Sequence, residues 1–489
     1  MIEIICDHDI YTYNNYHITK AFFPSEEVCQ RVEPEAGAVV CVHLPDHTFI
    51  SLKQSELAGI DDMKQRKHYV DQWLYHAYEK YTGQSLAWGL LTGVRPTKLA
   101  MQKISDGMDE VEFIKWMTEE FRVSKKKAWL ALDIARREKQ ILERLDYKDG
   151  YSLYVGIPFC PSICSYCSFS SGSIEEWKNY VDVYLDALCK ELSYIGGCSR
   201  NKKLNTIYIG GGTPTTLSGY QLERLLTQID RTFSRENLLE YTVEAGRPDS
   251  ITEEKLQVLK GHGITRISIN PQTMQQKTLD LIGRKHTVEQ IRTVFWMARE
   301  LGFDNINMDL IAGLPKESVS DMSDTLRQVK ELAPDSLTVH SLAVKRAAKM
   351  GQEKTVTGSI SNMEDSMDTM GRNISKMIEL AADAAGEMKM VPYYLYRQKN
   401  IAGNFENVGY AKVDKAGIYN ILIMEEKQSI VAAGAGSATK IVLNKPVAVR
   451  GSKNKRETTL MRIENVKDIK QYIIRIDEMI ERKGEWLWR

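Results

Sequence analysis

The stretch GIPFCPSICSYCSFSSG holds three cysteines, Cys160, Cys164 and Cys167, separated by three and then two residues. The chain has eight cysteines over 489 residues, too sparse for a disulfide framework, and clustered thiols in such a chain point to metal. A structural zinc site takes four ligands, usually as two separated pairs. No cysteine or histidine follows until Cys189, which falls in the helical stretch YVDVYLDALCKELSYI and is expected, like Cys198, to be a packing or surface thiol. A four-iron cube normally takes four cysteines, so three would leave one iron open. An open coordination position serves catalysis rather than scaffolding. From the residues alone two readings stand: an open iron–sulfur cluster, or a zinc knuckle completed from elsewhere.

Further candidates fall at the ends of apolar runs. IYIGGGTPTTL carries Gly210, Gly211, Gly212 and Thr213. Glycines at a strand end let a ligand approach the backbone and leave its polar groups free. The stretch is neither a phosphate loop nor a dinucleotide fingerprint, because the lysine and the GxGxxG spacing are missing. Glu244 closes EYTVEAG, where a carboxylate can take both hydroxyls of a ribose. Gln272 follows the next run, Arg284 sits in LIGRKHT, and Asp309 lies in NMDLIAGLP. One polar residue at a strand end is often a helix cap; four on successive runs suggest a ring of ligand contacts. Upstream, LLTGVRPTKLA contains a basic GxRPTK loop, read either as an anion grip or as a capped helix start.

Such residues need a scaffold whose strand ends face one way. From Tyr151 the runs SLYVGIPF, NTIYIGGG, EYTVEAG, TRISINPQ, NINMDLIAGL and DSLTVHSL alternate with helical stretches of about 15–25 residues, as βα units require. Continuous apolar strands mean a parallel sheet covered on both faces. Six units are fewer than a full barrel needs. The expected fold class is therefore α/β, a partial (β/α)6 TIM-type barrel with functional residues at the carboxyl ends of its strands.

The amino-terminal α+β domain is expected as a small β-rich part over 1–60 (IEIICDHD, YNNYHITKAFF, GAVVCVHL, HTFISL) and a helical segment over 61–149. The barrel is expected over 150–345 and a mostly helical extension over 346–489. In the extension, ISNMEDSMDTMGRNISKMIELAADAAGEM reads as one amphipathic helix whose methionines are core residues, residues 391–450 carry further β-type runs around VAAGAGSATK, and the chain ends in a helical, charged segment.

Composition narrows the function classes. The chain is 43% hydrophobic and 27% charged, as in ordinary globular proteins. Its 65 basic and 65 acidic residues give no global field for nucleic acid or an anionic membrane. No run of about 18 apolar residues is present, so no membrane span is expected. MIEIICDHDIYTYNN lacks the basic start and apolar block of a signal peptide. A reduced, cytoplasmic protein is the expectation.

CxxxCxxC after a first strand, GGGTP after the second, and the strand-end Glu, Gln, Arg and Asp together resemble the radical S-adenosylmethionine superfamily. Within it, YVGIPFC, GGGTPTTL, RISINPQT, LIGRKHT and NMDLIAGLPKE resemble the oxygen-independent coproporphyrinogen III oxidase (dehydrogenase) family. LLTGVRPTKLA and NFENVGYAK are similar to its HemZ-like branch.

The resemblance implies a [4Fe-4S] cluster on Cys160, Cys164 and Cys167, with the fourth iron open to the amino and carboxylate groups of S-adenosylmethionine. Gly211, Gly212 and Thr213 would border the methionine moiety, Glu244 would bind ribose, and Tyr154 and Tyr166 would flank the cofactor. Gln272, Arg284, Asp309 and Ala343 match positions that contact one of two S-adenosylmethionine molecules. The implied activity is radical-mediated oxidative decarboxylation of coproporphyrinogen III to protoporphyrinogen IX. Its partners would be the porphyrinogen and an electron donor such as flavodoxin or ferredoxin. Lys345 and Arg346 are candidates for binding substrate propionates.

The chain departs from the family in the cysteine loop. Characterised coproporphyrinogen enzymes carry a fourth cysteine two residues after the third, where this chain has Ser168 and Phe169. A Phe there is shared with the related haem-chaperone branch, which implies the cofactors without the decarboxylation. Asn270 stands where a small residue is expected, which bears on the second cofactor position.

Overall fold

The computed structural model describes residues 1–24, 26–34, 37–93, 95–169, 171–342, 367–397, 405–448 and 457–488. Apolar residues near the amino terminus build a four-stranded sheet of β1 (Ile2–Cys6), β2 (Val28–Val32), β3 (Ala38–His43) and β4 (Phe49–Lys53), ordered β2-β1-β3-β4. YNNYHITKAFF, expected as β structure, lies instead in helix α1 (Asp9–Phe22). Its buried residues are Tyr11, Asn15, Ile18 and Thr19, a helical period that prevails over the β propensity of Tyr, Ile and Thr. Helix α2 (Met63–Thr82) places Val70, Leu74 and Tyr78 on the same core. The first core therefore extends past residue 60 into the expected helical segment.

Helices α3 (Thr97–Ser105), α4 (Glu110–Glu120) and α5 (Lys125–Glu143) join the large core that also holds the barrel. The GxRPTK loop leads into α3, whose start at Pro96 has no side-chain cap. Its Arg95 pairs with Glu426 at 2.6 Å and donates to the Met424 carbonyl, so its charge is taken up inside the chain.

All six expected βα runs are strands. They are β5 (Gly150–Ile157), followed by the short pair β6 (Phe159–Cys160) and β7 (Gly172–Ser173), then β8 (Lys203–Gly211), β9 (Glu240–Gly246), β10 (Arg266–Ile269), β11 (Ile306–Ala312) and β12 (Ser336–Ser341). Neighbours along β5-β8-β9-β10-β11-β12 all pair in parallel. The intervening helices are α6 (Ile174–Trp177), α7 (Val181–Cys198), α8 (Gly219–Thr232), α9 (Glu253–Gly261), α10 (Gln276–Leu281), α11 (Val288–Glu300) and α12 (Val319–Leu332). Capping boxes at Ser218/Gln221, Thr287/Gln290 and Ser318/Asp321 fix the starts of α8, α11 and α12.

The carboxyl-terminal part corrects the expectation of a mostly helical extension. Helices α13 (Met367–Glu387), α14 (Ile418–Glu425), α15 (Ile469–Ile474) and α16 (Ile476–Gly484) are present, but so are five strands. Strand β14 (Glu406–Ala411) pairs antiparallel with β12 and carries β13 (Val391–Arg397). At the other edge β15 (Ser429–Ala433) pairs parallel with β5 and carries β16 (Ala438–Ala448) and β17 (Glu457–Glu464). A six-stranded open barrel leaves two unpaired edges, and these strands cover both. Ala343, Lys345 and Arg346, and the first part of the long methionine-rich run, lie outside the described residues.

Candidate functional site

The carboxyl ends of the barrel strands open onto a cavity of about 360 Å³. At the end of β5 the Gly212 N–H donates to the Ile157 carbonyl (2.8 Å) and the Thr213 N–H to the Phe159 carbonyl (2.7 Å). These bonds stitch the glycine stretch to the start of the cysteine loop. Gly211 has a φ of +112°, and a Cβ on Gly212 would lie 2.5 Å from the Phe159 carbonyl oxygen. Only glycine permits that approach. On its far side the cysteine loop is fastened by Ser165 N–H to the Ile282 carbonyl (3.1 Å) and Ser162 Oγ to the Gly283 carbonyl (3.2 Å).

Cys160, Cys164 and Cys167 all line the cavity. Thr213 Oγ1 donates to Cys160 Sγ and Arg247 Nη1 to Cys164 Sγ, each at 3.6 Å. Burial pushes the Cys160 and Cys167 thiols up, and a thiolate in that setting calls for a bound cation. Among the described residues no three His, Cys, Asp or Glu side chains converge as ligands of one ion. A four-iron cube instead takes each thiolate on a separate iron. Three thiols on one cavity wall fit a cluster with one iron left open.

Glu244, at the end of β9, accepts a hydrogen bond from the Tyr208 hydroxyl on β8. Burial, partly opposed by that bond, pushes its carboxyl up to about 7. The Tyr208 ring stacks on Tyr419 of α14, with centroids 4.4 Å apart, and on Tyr154 at 6.2 Å. Tyr154 is not among the residues lining the cavity; it sits in this aromatic stack, one ring removed.

Gln272 adopts a φ of +68°, a left-handed conformation uncommon outside glycine. Its N–H donates to the Asp309 carbonyl (2.9 Å), its carbonyl accepts from the Ile311 N–H (3.0 Å), and its Oε1 is buried without a partner. Arg284 Nη1 donates to the Asn270 carbonyl, while its Nε is buried and unpartnered. Orphaned polar atoms on a cavity wall are groups that a bound polar ligand would satisfy. Asp309 accepts from Asn307 Nδ2 at 2.7 Å and faces His340 Nε2 at 3.8 Å. Burial opposes its ionisation, yet His340 and Asn307 hold its carboxyl below the ordinary value. Tyr166 packs against Ile282, Ile311 and Leu314 and presents its ring to the cavity.

The cavity thus gathers the three cysteines, Tyr166, Gly211, Gly212, Thr213, Glu244, Gln272, Arg284 and Asp309. Tyr154 stands one ring away, and Ala343 lies outside the described residues. Tyr208, Arg247, Arg266, His340, Tyr394, Tyr396 and Asn420 also line it and were missed. Tyr208 was within reach of sequence reasoning, because it shares a strand face with Gly210 in IYIGGG. Tyr394, Tyr396 and Asn420 carry no local signal.

A partial barrel with CxxxCxxC at the end of its first strand defines the class, and the radical SAM superfamily pattern matches residues 154–329. The chain belongs, more narrowly, to the family of the oxygen-independent coproporphyrinogen-III oxidase-like protein HemZ of Bacillus subtilis (strain 168). The two are 39% identical over 430 residues, 87% of this chain and 81% of that protein. The heme chaperone HemW of the same organism is 40% identical over 195 residues, 40% of this chain and 51% of HemW. In fold the chain is similar to the coproporphyrinogen III oxidase HemN from Escherichia coli, with a TM-score of 0.52 at 22% identity over 70% of this chain and 73% of that one. The cofactors of the class are a [4Fe-4S] cluster and S-adenosylmethionine. Among the described residues no helix is long and apolar enough to cross a membrane.

Proposed function

We propose that the chain is an oxygen-independent coproporphyrinogen III dehydrogenase that turns two propionates of its substrate into vinyl groups, giving protoporphyrinogen IX. The observation carrying this reading is the convergence of three thiols and strand-end Glu244, Gln272, Arg284 and Asp309 on one cavity, in a chain of the HemZ family. Cys160, Cys164 and Cys167 ligate the cluster. When bound, cluster and S-adenosylmethionine would supply the one-electron chemistry that takes a hydrogen atom from a propionate β-carbon. Loss of that hydrogen atom, of CO2 and of one further electron, which passes to a one-electron acceptor, would leave the vinyl group.

The chain's own residues bind, orient and exclude water. Gly211, Gly212 and Thr213 offer backbone to the methionine moiety, and Glu244 accepts from the ribose hydroxyls. Tyr166 gives the cofactor an apolar wall. Gln272 and Arg284, whose Oε1 and Nε are buried without a partner, would with Asp309 contact one of two S-adenosylmethionine molecules. A low-potential flavodoxin or ferredoxin is the electron donor.

A second reading, a haem chaperone that keeps both cofactors, is favoured by one observation. Phe169, 74% exposed, stands where the resemblance implies a cysteine in a decarboxylating member. One assay separates the two. The anaerobically reconstituted chain, given coproporphyrinogen III, S-adenosylmethionine and dithionite, is expected to release CO2 and form a divinyl product. Stable haem binding with no CO2 would install the chaperone instead. Cys164→Ser should fold, judged by circular dichroism, yet cleave no S-adenosylmethionine; retained cleavage would overturn the ligand assignment.

A further inference from the structure

We infer that Arg247 is a positioning residue that sets the reduction potential of the cluster by acting through Cys164. The inference rests on the reading that Cys164 ligates the cluster. Arg247 follows β9 directly, three residues after Glu244, and is 3% exposed. Its Nη1 donates to Cys164 Sγ at 3.6 Å, and also to Ser162 O at 3.2 Å and Ser162 Oγ at 3.1 Å. Its Nε and Nη2 donate to the two oxygens of Asp249 at 2.9 and 2.6 Å. The guanidinium is thereby clamped on one side and aimed at a cysteine sulfur on the other. His286, 0% exposed, closes the far side of Asp249 with its Nδ1 3.7 Å away.

Iron–sulfur potentials are set by net charge, hydrogen bonds to the sulfurs and solvent exposure. Cys164 is only 8% accessible, so at this sulfur charge and hydrogen bonding outweigh exposure. A guanidinium stays charged at any working pH. A cation donating to a ligand sulfur stabilises the cluster more after it has gained an electron than before, and so raises its potential. Asp249, one bond removed, tempers that effect with its opposite charge. The pair makes a sign prediction that a merely structural clamp does not: removing the cation and removing the anion should move the potential in opposite directions.

The test is an EPR-monitored redox titration of the anaerobically reconstituted full chain without S-adenosylmethionine, with dithionite as the one-electron reductant and iron counted per chain. Arg247→Gln should lower the potential by at least a tenfold change in the reduction equilibrium, 59 mV for a one-electron couple. Asp249→Asn should raise it, and Arg247→Lys, which keeps the charge, should shift it by less than Arg247→Gln. An iron-replete Arg247→Gln chain with the wild-type potential would overturn the inference, as would shifts of the same sign in Arg247→Gln and Asp249→Asn. Should Arg247→Gln fail to hold its cluster, an unchanged potential in Asp249→Asn decides against it. A wild-type chain that takes up no iron would overturn the ligand assignment together with the inference, and the iron count tells the two failures apart.

Discussion

Tyr208 and Glu244 face each other from neighbouring strands, and the phenol donates a hydrogen bond to Oε1 of the carboxylate. The bond fixes the orientation of the group read as the ribose acceptor, and the stack of Tyr208 on Tyr419 holds the phenol in place. Tyr208→Phe keeps the stack and loses the bond. A hydrogen bond to a charged group contributes about 1.5–3 kcal/mol. If it acts only in orienting Glu244, S-adenosylmethionine should bind about ten- to a hundredfold more weakly, by the same relation. Equilibrium dialysis of the reconstituted protein measures this, and an unchanged affinity would remove Tyr208 from the site.

The environment of Glu244 also predicts a pH dependence. Burial raises its carboxyl to about 7, against 4.5 for a free side chain. On the proposed role of Glu244 the ribose hydroxyls donate to its ionised form, so protons would compete with the cofactor. Affinity for S-adenosylmethionine should be level well above pH 7 and fall by about tenfold per pH unit well below it. Glu244→Gln should bind weakly throughout and lose the slope. For the cofactor-free chain the stability effect has the opposite sense. The folded state holds the proton more tightly than the unfolded one, so this contribution is full below pH 4.5 and lost as the pH rises through about 7.

Features that depend on local pattern were readable from the sequence. A parallel strand buried on both faces shows as a continuous apolar run, which is why all six barrel strands were visible before any contact was known. The cysteine loop and the glycine stretch were visible for the same reason, because their chemistry sits in consecutive residues. Arg247 was not, since its partner Cys164 lies 83 residues away and nothing in EAGRPD states that distance. The β-type runs over 391–450 were readable and hold β13 to β16, but their pairing on the open edges at β12 and β5, and β17 beyond them, belong to the assembled sheet. Helix α1 is rich in aromatic and β-branched residues that favour strands, and its helical burial period is made decisive by packing on the sheet.

The close approach of the glycine stretch to the cysteine loop gives a third prediction. A Cβ at position 212 would meet the Phe159 carbonyl oxygen at 2.5 Å and the Ile157 carbonyl oxygen at 3.0 Å, both backbone atoms that cannot swing aside. Gly212→Ala must therefore push the two loops apart. Overpacking of this kind costs about 1–3 kcal/mol, small enough for the barrel to fold. Thermal unfolding should show a modest loss, while cofactor cleavage by the reconstituted variant falls by at least about tenfold, since an ångström of misplacement at a reacting site costs that much or more. Wild-type cleavage rates would show that this backbone contact does not position the cofactor.

The last prediction concerns the strands that cover the barrel edge beside the cysteine loop. Glu191 of α7 and Lys483 of α16 pair at 2.6 Å with side-chain exposures of 0% and 1%. The same carboxylate accepts from the Gly434 N–H (2.9 Å), Asn465 Nδ2 (2.9 Å) and the Tyr472 hydroxyl (2.6 Å). Gly434 lies against Gly156, whose carbonyl accepts from Tyr184 at 2.7 Å. The network thus joins the last helix, the turn after β15 and the end of β5, from which the cysteine loop departs. Lys483→Met leaves a buried carboxylate without its counter-ion, a change that costs about 3–5 kcal/mol. Glu191→Gln with Lys483→Met removes both charges and should recover part of that loss. Denaturant titration of the single and double variants checks the order. A Lys483→Met midpoint equal to wild type would mean that the carboxyl-terminal helix is not anchored to the barrel by this pair.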